Sequence, residues 1–167
     1  MKKTQIKELS KNVCEVFSFL ADFKEQNPLA EHIQFPKTPT ILSESIVRHL
    51  INDNRIIIGE NVQRTDFGGK TADILVELAS GKTLKVEVKG TATNAFQDFS
   101  EKDVAADYLV WVHLEDLFKS GIASPINVYV VKKPSNYFPE SQKIGLRKFL
   151  TTVGQNMQRL TLTLSDL

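Results

Sequence analysis

At 167 residues, with 41% hydrophobic and 25% charged residues, the chain has the size and composition of one soluble globular domain with a substantial core. The N-terminus, M-K-K-T-Q-I-K-E-L, lacks the apolar centre of a signal peptide, and no segment approaches the ~20 apolar residues that span a bilayer, so a cytoplasmic protein with no membrane partner is expected. A net charge of +1 argues against a broad basic stripe for nucleic acid, although acidic metal ligands also lower the net charge.

The first predicted element is a helix over residues 4–24, with Ile6, Leu9, Val13, Phe17, Leu20 and Phe23 along one stripe. Cys14, the single cysteine, falls inside that pattern and reads as core filler. Such a stripe can form a homodimer interface or pack on its own sheet. Asn27-Pro28 and Phe35-Pro36-Lys37-Thr38-Pro39 interrupt the chain before a second amphipathic helix, Thr40 to Asn52, whose Ile41, Leu42, Ile46, Val47, Leu50 and Ile51 have helical spacing. Glu44 lies on its more polar side, with Thr40 or Ser43 as cap. Arg55 to Gly59 reads as a first strand, followed by a polar, glycine-rich loop from Glu60 to Lys70. Its Gly68-Gly69 pair permits close backbone approach to a ligand, and Arg64 and Lys70 are candidate phosphate contacts; a plain surface turn accounts for the same residues.

The most informative stretch runs from Asp73 to Lys89, D-I-L-V-E-L-A-S-G-K-T-L-K-V-E-V-K. Ile74, Val76 and Leu78 alternate with Asp73, Leu75 and Glu77, and Leu84, Val86 and Val88 alternate with Lys85, Glu87 and Lys89, so each run has an apolar and a more polar face. Ala79-Ser80-Gly81-Lys82 is the turn of an antiparallel hairpin that brings Asp73 to the Glu87–Lys89 end. Two carboxylates and an ammonium so placed suit phosphodiester hydrolysis: Asp73 and Glu87 supply hard oxygen ligands to Mg²⁺, the Val88 carbonyl completes the shell, and Lys89 serves the attacking water and the phosphate. A solvated hairpin is the competing reading of the same alternation.

Beyond the triplet, Gly90 ends the strand. A polar loop containing Asn94 and Gln97, both suited to base-edge contacts, leads to a short helix from Ser100 to Asp107, capped by Ser100, and to the apolar strand Tyr108 to His113. Strand, helix and strand in this spacing imply a crossover beside the hairpin. Gln142 to Met157 reads as a helix with Leu146, Phe149, Leu150, Val153 and Met157 inward and Lys143, Arg147 and Lys148 outward, and 161–164 reads as a final edge strand. His32, His49 and His113 show no metal-ligand spacing.

Asp73, followed after a hairpin by Glu87-Val88-Lys89, resembles the P-D...(D/E)-X-K signature of the restriction-endonuclease-like nuclease superfamily; the departure is Ala72 where the signature has proline. The order helix, meander, helix, strand is similar as well, and the resemblance covers residues 40–114. It implies an α/β fold with a central mixed sheet and a catalytic hairpin flanked by helices, with Asp73, Glu87, Val88 and Glu44 at a Mg²⁺ site and Lys89 beside them. One domain is expected over 1–167: a helical extension at 1–39, the catalytic core at 40–114, and C-terminal strands with a basic helix at 115–167. The expected activity is Mg²⁺-dependent cleavage of double-stranded DNA by a small Type II restriction enzyme. The alternatives are a repair nuclease or junction resolvase and, from another class, a catalytically inactive DNA-binding or interaction module.

Overall fold

A computed structural model describes residues 1–59, 61–92 and 96–167. In chain order the elements are α1 (Lys3–Gln26), α2 (Thr40–Asn52), β1 (Val62–Phe67), β2 (Ile74–Leu78), β3 (Thr83–Thr91), β4 (Phe96–Phe99), α3 (Glu101–Val104), β5 (Tyr108–His113), α4 (Glu115–Ser120), β6 (Ile126–Lys132), β7 (Gln142–Gly145), α5 (Leu146–Val153) and β8 (Gln158–Leu162). Six strands form a mixed sheet in the order β1-β2-β3-β5-β6-β8, and β4 pairs with β7 in a separate ribbon. β3 and β5 run parallel, with α3 in the connection, while the remaining neighbours are antiparallel. This is an α/β fold with helices on both sides of a central mixed sheet.

The period of two along each strand divides the core. Ile74, Val76, Val86, Val88, Val110, Val112 and Val128 face α1, α2 and α4, whose Ile6, Phe17, Leu42, Ile46, Leu50 and Leu117 close over them. Leu109, Trp111 and Val131 point the other way, into an aromatic cluster with Phe99, Phe138 and Phe149 beneath α5 and the small ribbon. β5 is buried on both faces, as its unbroken apolar run demands. The N-terminal part of the α1 stripe packs within the chain, where Ile6, Cys14 and Phe17 are core residues and the Cys14 thiol donates to the Leu117 carbonyl, whereas Phe23 at its far end is exposed. Among the described residues, no helix is long and apolar enough to cross a membrane.

Four expectations are corrected. Arg55–Gly59 is not a strand. Ile56 and Ile58 are buried and Ile57 is exposed, which mimics strand alternation, but Arg55 and Ile56 donate their N–H groups to the Leu50 carbonyl at the end of α2, and Ile57 donates to the Gln158 side chain. The first strand instead falls within the expected loop, at Val62–Phe67. As an edge strand it buries only Thr65 fully and turns polar residues to solvent, which also discourages pairing with another chain. Next, β3 continues through Gly90 to Thr91, and the loop expected to follow contains β4. The helix capped by Ser100 is the single turn Glu101–Val104. Finally, Gln142–Met157 divides into β7 and α5 at Gly145, because Gln142 to Gly145 pair with Phe99 to Phe96 and helical burial begins at Leu146. Lys143 therefore stands on a strand, over the Phe96 ring, and not on a basic helical face.

Candidate active site

The hairpin pairs Ile74 with Val86 and Glu77 with Thr83, and its ladder ends at the first of these pairs. Past that point, among the described residues, β3 has no strand on its β2 side. Asp73 fills the gap: its Oδ2 accepts the Val88 N–H at 2.8 Å, which pins the carboxylate against the unpaired edge. A strand residue presents its N–H and C=O to the same side, so the Val88 carbonyl also faces the Asp73 edge.

Glu87 and Lys89 share the sheet face of Leu109 and Trp111, their partners in the parallel ladder. This part of the face is not solvated. Glu87 is only 2% exposed because α3 lies across it. Two consecutive residues of α3 meet the hairpin with opposite charges. The Lys102 ammonium lies 3.2 Å from Glu87 Oε2 and 3.5 Å from Asp73 Oδ1, bridging the two carboxylates. Asp103 Oδ2 accepts from the Lys89 ammonium at 2.7 Å, and from the Ser100 N–H and hydroxyl at 2.7 and 2.9 Å. The Ser100 hydroxyl accepts the Asp103 N–H in return, forming a capping box that holds the aspartate.

The electrostatics follow from burial. Loss of solvent, then the charge on Asp73, pushes the Glu87 carboxyl up to about 7, with Lys102 opposing the shift. Its second oxygen, Oε1, is buried and accepts no hydrogen bond among the described residues. Glu44 is also raised, first by burial and then by Asp73, and it lines the same cleft. For Asp103, burial is outweighed by the bonds from Lys89 and Ser100, and its carboxyl stays below the usual range. For Lys102, partial burial is outweighed by Glu87 and Asp73, which hold the ammonium above its ordinary value.

A cleft of about 580 Å³ opens beside this group, reaching Asp73, Val88 and Lys89 and lined also by Lys37, Glu44, Phe96 and Gln97. The α2 wall approaches β3 closely: a Cβ on Gly90 would lie 2.7 Å from Ser43 Oγ, so glycine there lets α2 sit against the strand at Ser43, the residue before Glu44. No side-chain cap starts α2, whose N-cap is Pro39; the Ser43 hydroxyl instead donates to the Thr40 carbonyl.

Asp73, Val88, Lys89 and Glu44 thus border one cleft, with Glu87 joined to Asp73 through Lys102. The expected DNA contacts are more scattered. Arg64 is on β1 and pairs with Asp66 at 2.6 Å, and Lys70 is exposed in the Gly68–Gly69 turn that leads to Asp73. Gln97 donates its amide to the Gly90 carbonyl, and Asn94 lies outside the described residues. His113 is buried between the Thr91 hydroxyl and Glu115, and Thr91 also accepts from the Trp111 ring N–H.

Among the described residues, no three His, Cys, Asp or Glu side chains form a ready metal-holding group. A Mg²⁺ ion, however, is commonly held by one or two carboxylates, with water and substrate oxygens completing its shell. Asp73 and Glu87 meet that requirement. Their shared cation is an ammonium, and one buried Glu87 oxygen lacks a partner, so the donor set fits a small hard cation. Sequence reasoning missed Lys102 and the Lys89–Asp103 pair. The S-E-K-D capping signal located α3, but its docking on the hairpin depends on tertiary packing. No family model, curated protein or solved structure matches the chain.

Proposed function

We propose that the chain is a Mg²⁺-dependent endonuclease of the restriction-endonuclease-like kind, hydrolysing phosphodiester bonds in double-stranded DNA, in the manner of a small Type II restriction enzyme. The observation that carries this reading is the joining of Asp73 to a buried Glu87, one oxygen of which is unpartnered, beside Lys89 at the unpaired edge of β3. Asp73, Glu87 and the Val88 carbonyl hold the ion, and Glu44 supports the shell from α2. Bound there, Mg²⁺ supplies Lewis acidity toward water and the scissile phosphate. Lys89, aimed by Asp103, orients the attacking water and donates to the phosphate oxygens as negative charge develops. Lys70, in the turn before Asp73, and Gln97, on the cleft wall, are the contacts nearest the site in sequence or space, and Arg64, paired with Asp66 on β1, is the more distant one.

A second reading also has an observation behind it. Lys102 already bridges Asp73 and Glu87, and Asp103 already pairs with Lys89, so each charged group of the cluster has an opposite charge beside it, an arrangement that suits an inactive DNA-binding or interaction module. Supercoiled plasmid and branched DNA incubated with Mg²⁺ or EDTA separate the readings. Discrete linear fragments mark a restriction enzyme, and cleavage confined to branched DNA marks a resolvase. DNA binding without metal-dependent cleavage of any substrate leaves the module.

A further inference from the structure

Lys102 occupies the position between the two carboxylates that the nuclease reading gives to a metal ion. Its nitrogen stands 3.2 Å from Glu87 and 3.5 Å from Asp73, whereas a Mg²⁺ ion binds oxygen at about 2 Å, so ammonium and ion compete for the same oxygens. The lysine is free to leave without unfolding α3. Its side chain is 38% exposed on a flexible four-carbon stem, while the neighbouring Asp103 remains fixed by Ser100 and Lys89. An unpaired, buried Glu87 would otherwise stand beside Asp73 with no cation at all, and this explains why the site folds around a tethered one.

We propose that Lys102 is a built-in counter-cation, and that a divalent ion enters the Asp73–Glu87 site only by displacing it, turning the lysine out to the surface beside the substrate. The inference rests on the nuclease reading, but the exchange can be tested apart from cleavage. Isothermal titration calorimetry with Mn²⁺, in the absence of DNA, compares the wild type with Lys102→Met and Lys102→Arg. Loss of a charge-assisted bond that the ion must otherwise break should tighten Mn²⁺ binding to Lys102→Met by about tenfold, whereas Lys102→Arg, which keeps a competing cation, should gain nothing.

The same exchange is visible in the unaltered protein. Amine-reactive labelling of Lys102, followed by mass spectrometry, should rise several-fold on adding Mn²⁺, with labelling of the exposed Lys85 unchanged. If the wild type binds Mn²⁺ while Lys102 labelling stays constant, or if folded Lys102→Met binds no more tightly, the exchange is wrong and the nuclease reading stands. If neither the wild type nor either variant binds Mn²⁺ at millimolar concentration, both fail.

Discussion

Replacing Glu87 by glutamine should stabilise the metal-free protein at pH 8, although the residue is central to the proposed site. The Glu87 carboxyl is displaced from an ordinary value of 4.5 to about 7, chiefly by burial. At about 1.4 kcal/mol for each tenfold, that displacement amounts to roughly 3 kcal/mol against the folded state once the group is ionised. Because the folded value is raised, the penalty is absent below pH 4.5, grows as the pH climbs toward 7 and is complete above it. Glutamine removes the charge, keeps the shape and still offers Lys102 an acceptor, and the displacement to about 7 already includes the opposing pull of Lys102 on the carboxylate. Glu87→Gln should therefore be up to about 3 kcal/mol more stable than the wild type at pH 8 and nearly equal at pH 5. Urea denaturation in EDTA, followed by circular dichroism at both values, measures the difference. A variant less stable than the wild type at pH 8, or a difference unaffected by pH, would refute the reasoning.

Further outcomes follow from the same contacts. Lys89→Ala should lose at least about a hundredfold in cleavage rate, read on labelled duplex, and about 1–3 kcal/mol of stability by denaturation, because the buried Asp103 loses its cation. Ser100→Ala should cost about 1 kcal/mol by breaking the capping box, measurable in the same urea titration. Gly90→Ala drives a methyl group into Ser43 Oγ and should destabilise by about 1–3 kcal/mol, and Ser43→Gly in the same chain should restore part of the loss in melting temperature. Mn²⁺ should raise the melting temperature of the wild type, with little effect on Asp73→Asn.

The parts of this architecture that were legible in the sequence are those in which local pattern and burial agree. Thr40–Asn52 and the Asp73–Lys89 hairpin combine strong periodicity with a core-facing side, the strand Tyr108–His113 is an unbroken apolar run buried on both faces, and each forms where its pattern places it. β1, β4 and β7 are short and sit at an edge or in a two-stranded ribbon, so their polar residues carry little alternation, and Ile56 to Ile58 carry more of a strand signal than the true first strand. At the site, Asp73, Glu87 and Lys89 were readable from their positions on the hairpin. What escaped was the burial of Glu87, and with it the raised carboxyl, since both depend on α3 folding over the polar face. Lys102 and Asp103 reach that face across the crossover between β3 and β5, a contact that no local periodicity encodes.

The central claim is that Asp73 and Glu87 hold a divalent ion that drives phosphodiester hydrolysis. The most direct measurement is cleavage of end-labelled duplex and plasmid DNA by the wild type and by Asp73→Asn, with Mg²⁺ titrated from zero against an EDTA blank. The account predicts cleavage that rises with Mg²⁺ and vanishes in EDTA, with Asp73→Asn inactive but folded. Absence of Mg²⁺-dependent cleavage on every DNA substrate, or equal cleavage by Asp73→Asn, would contradict it.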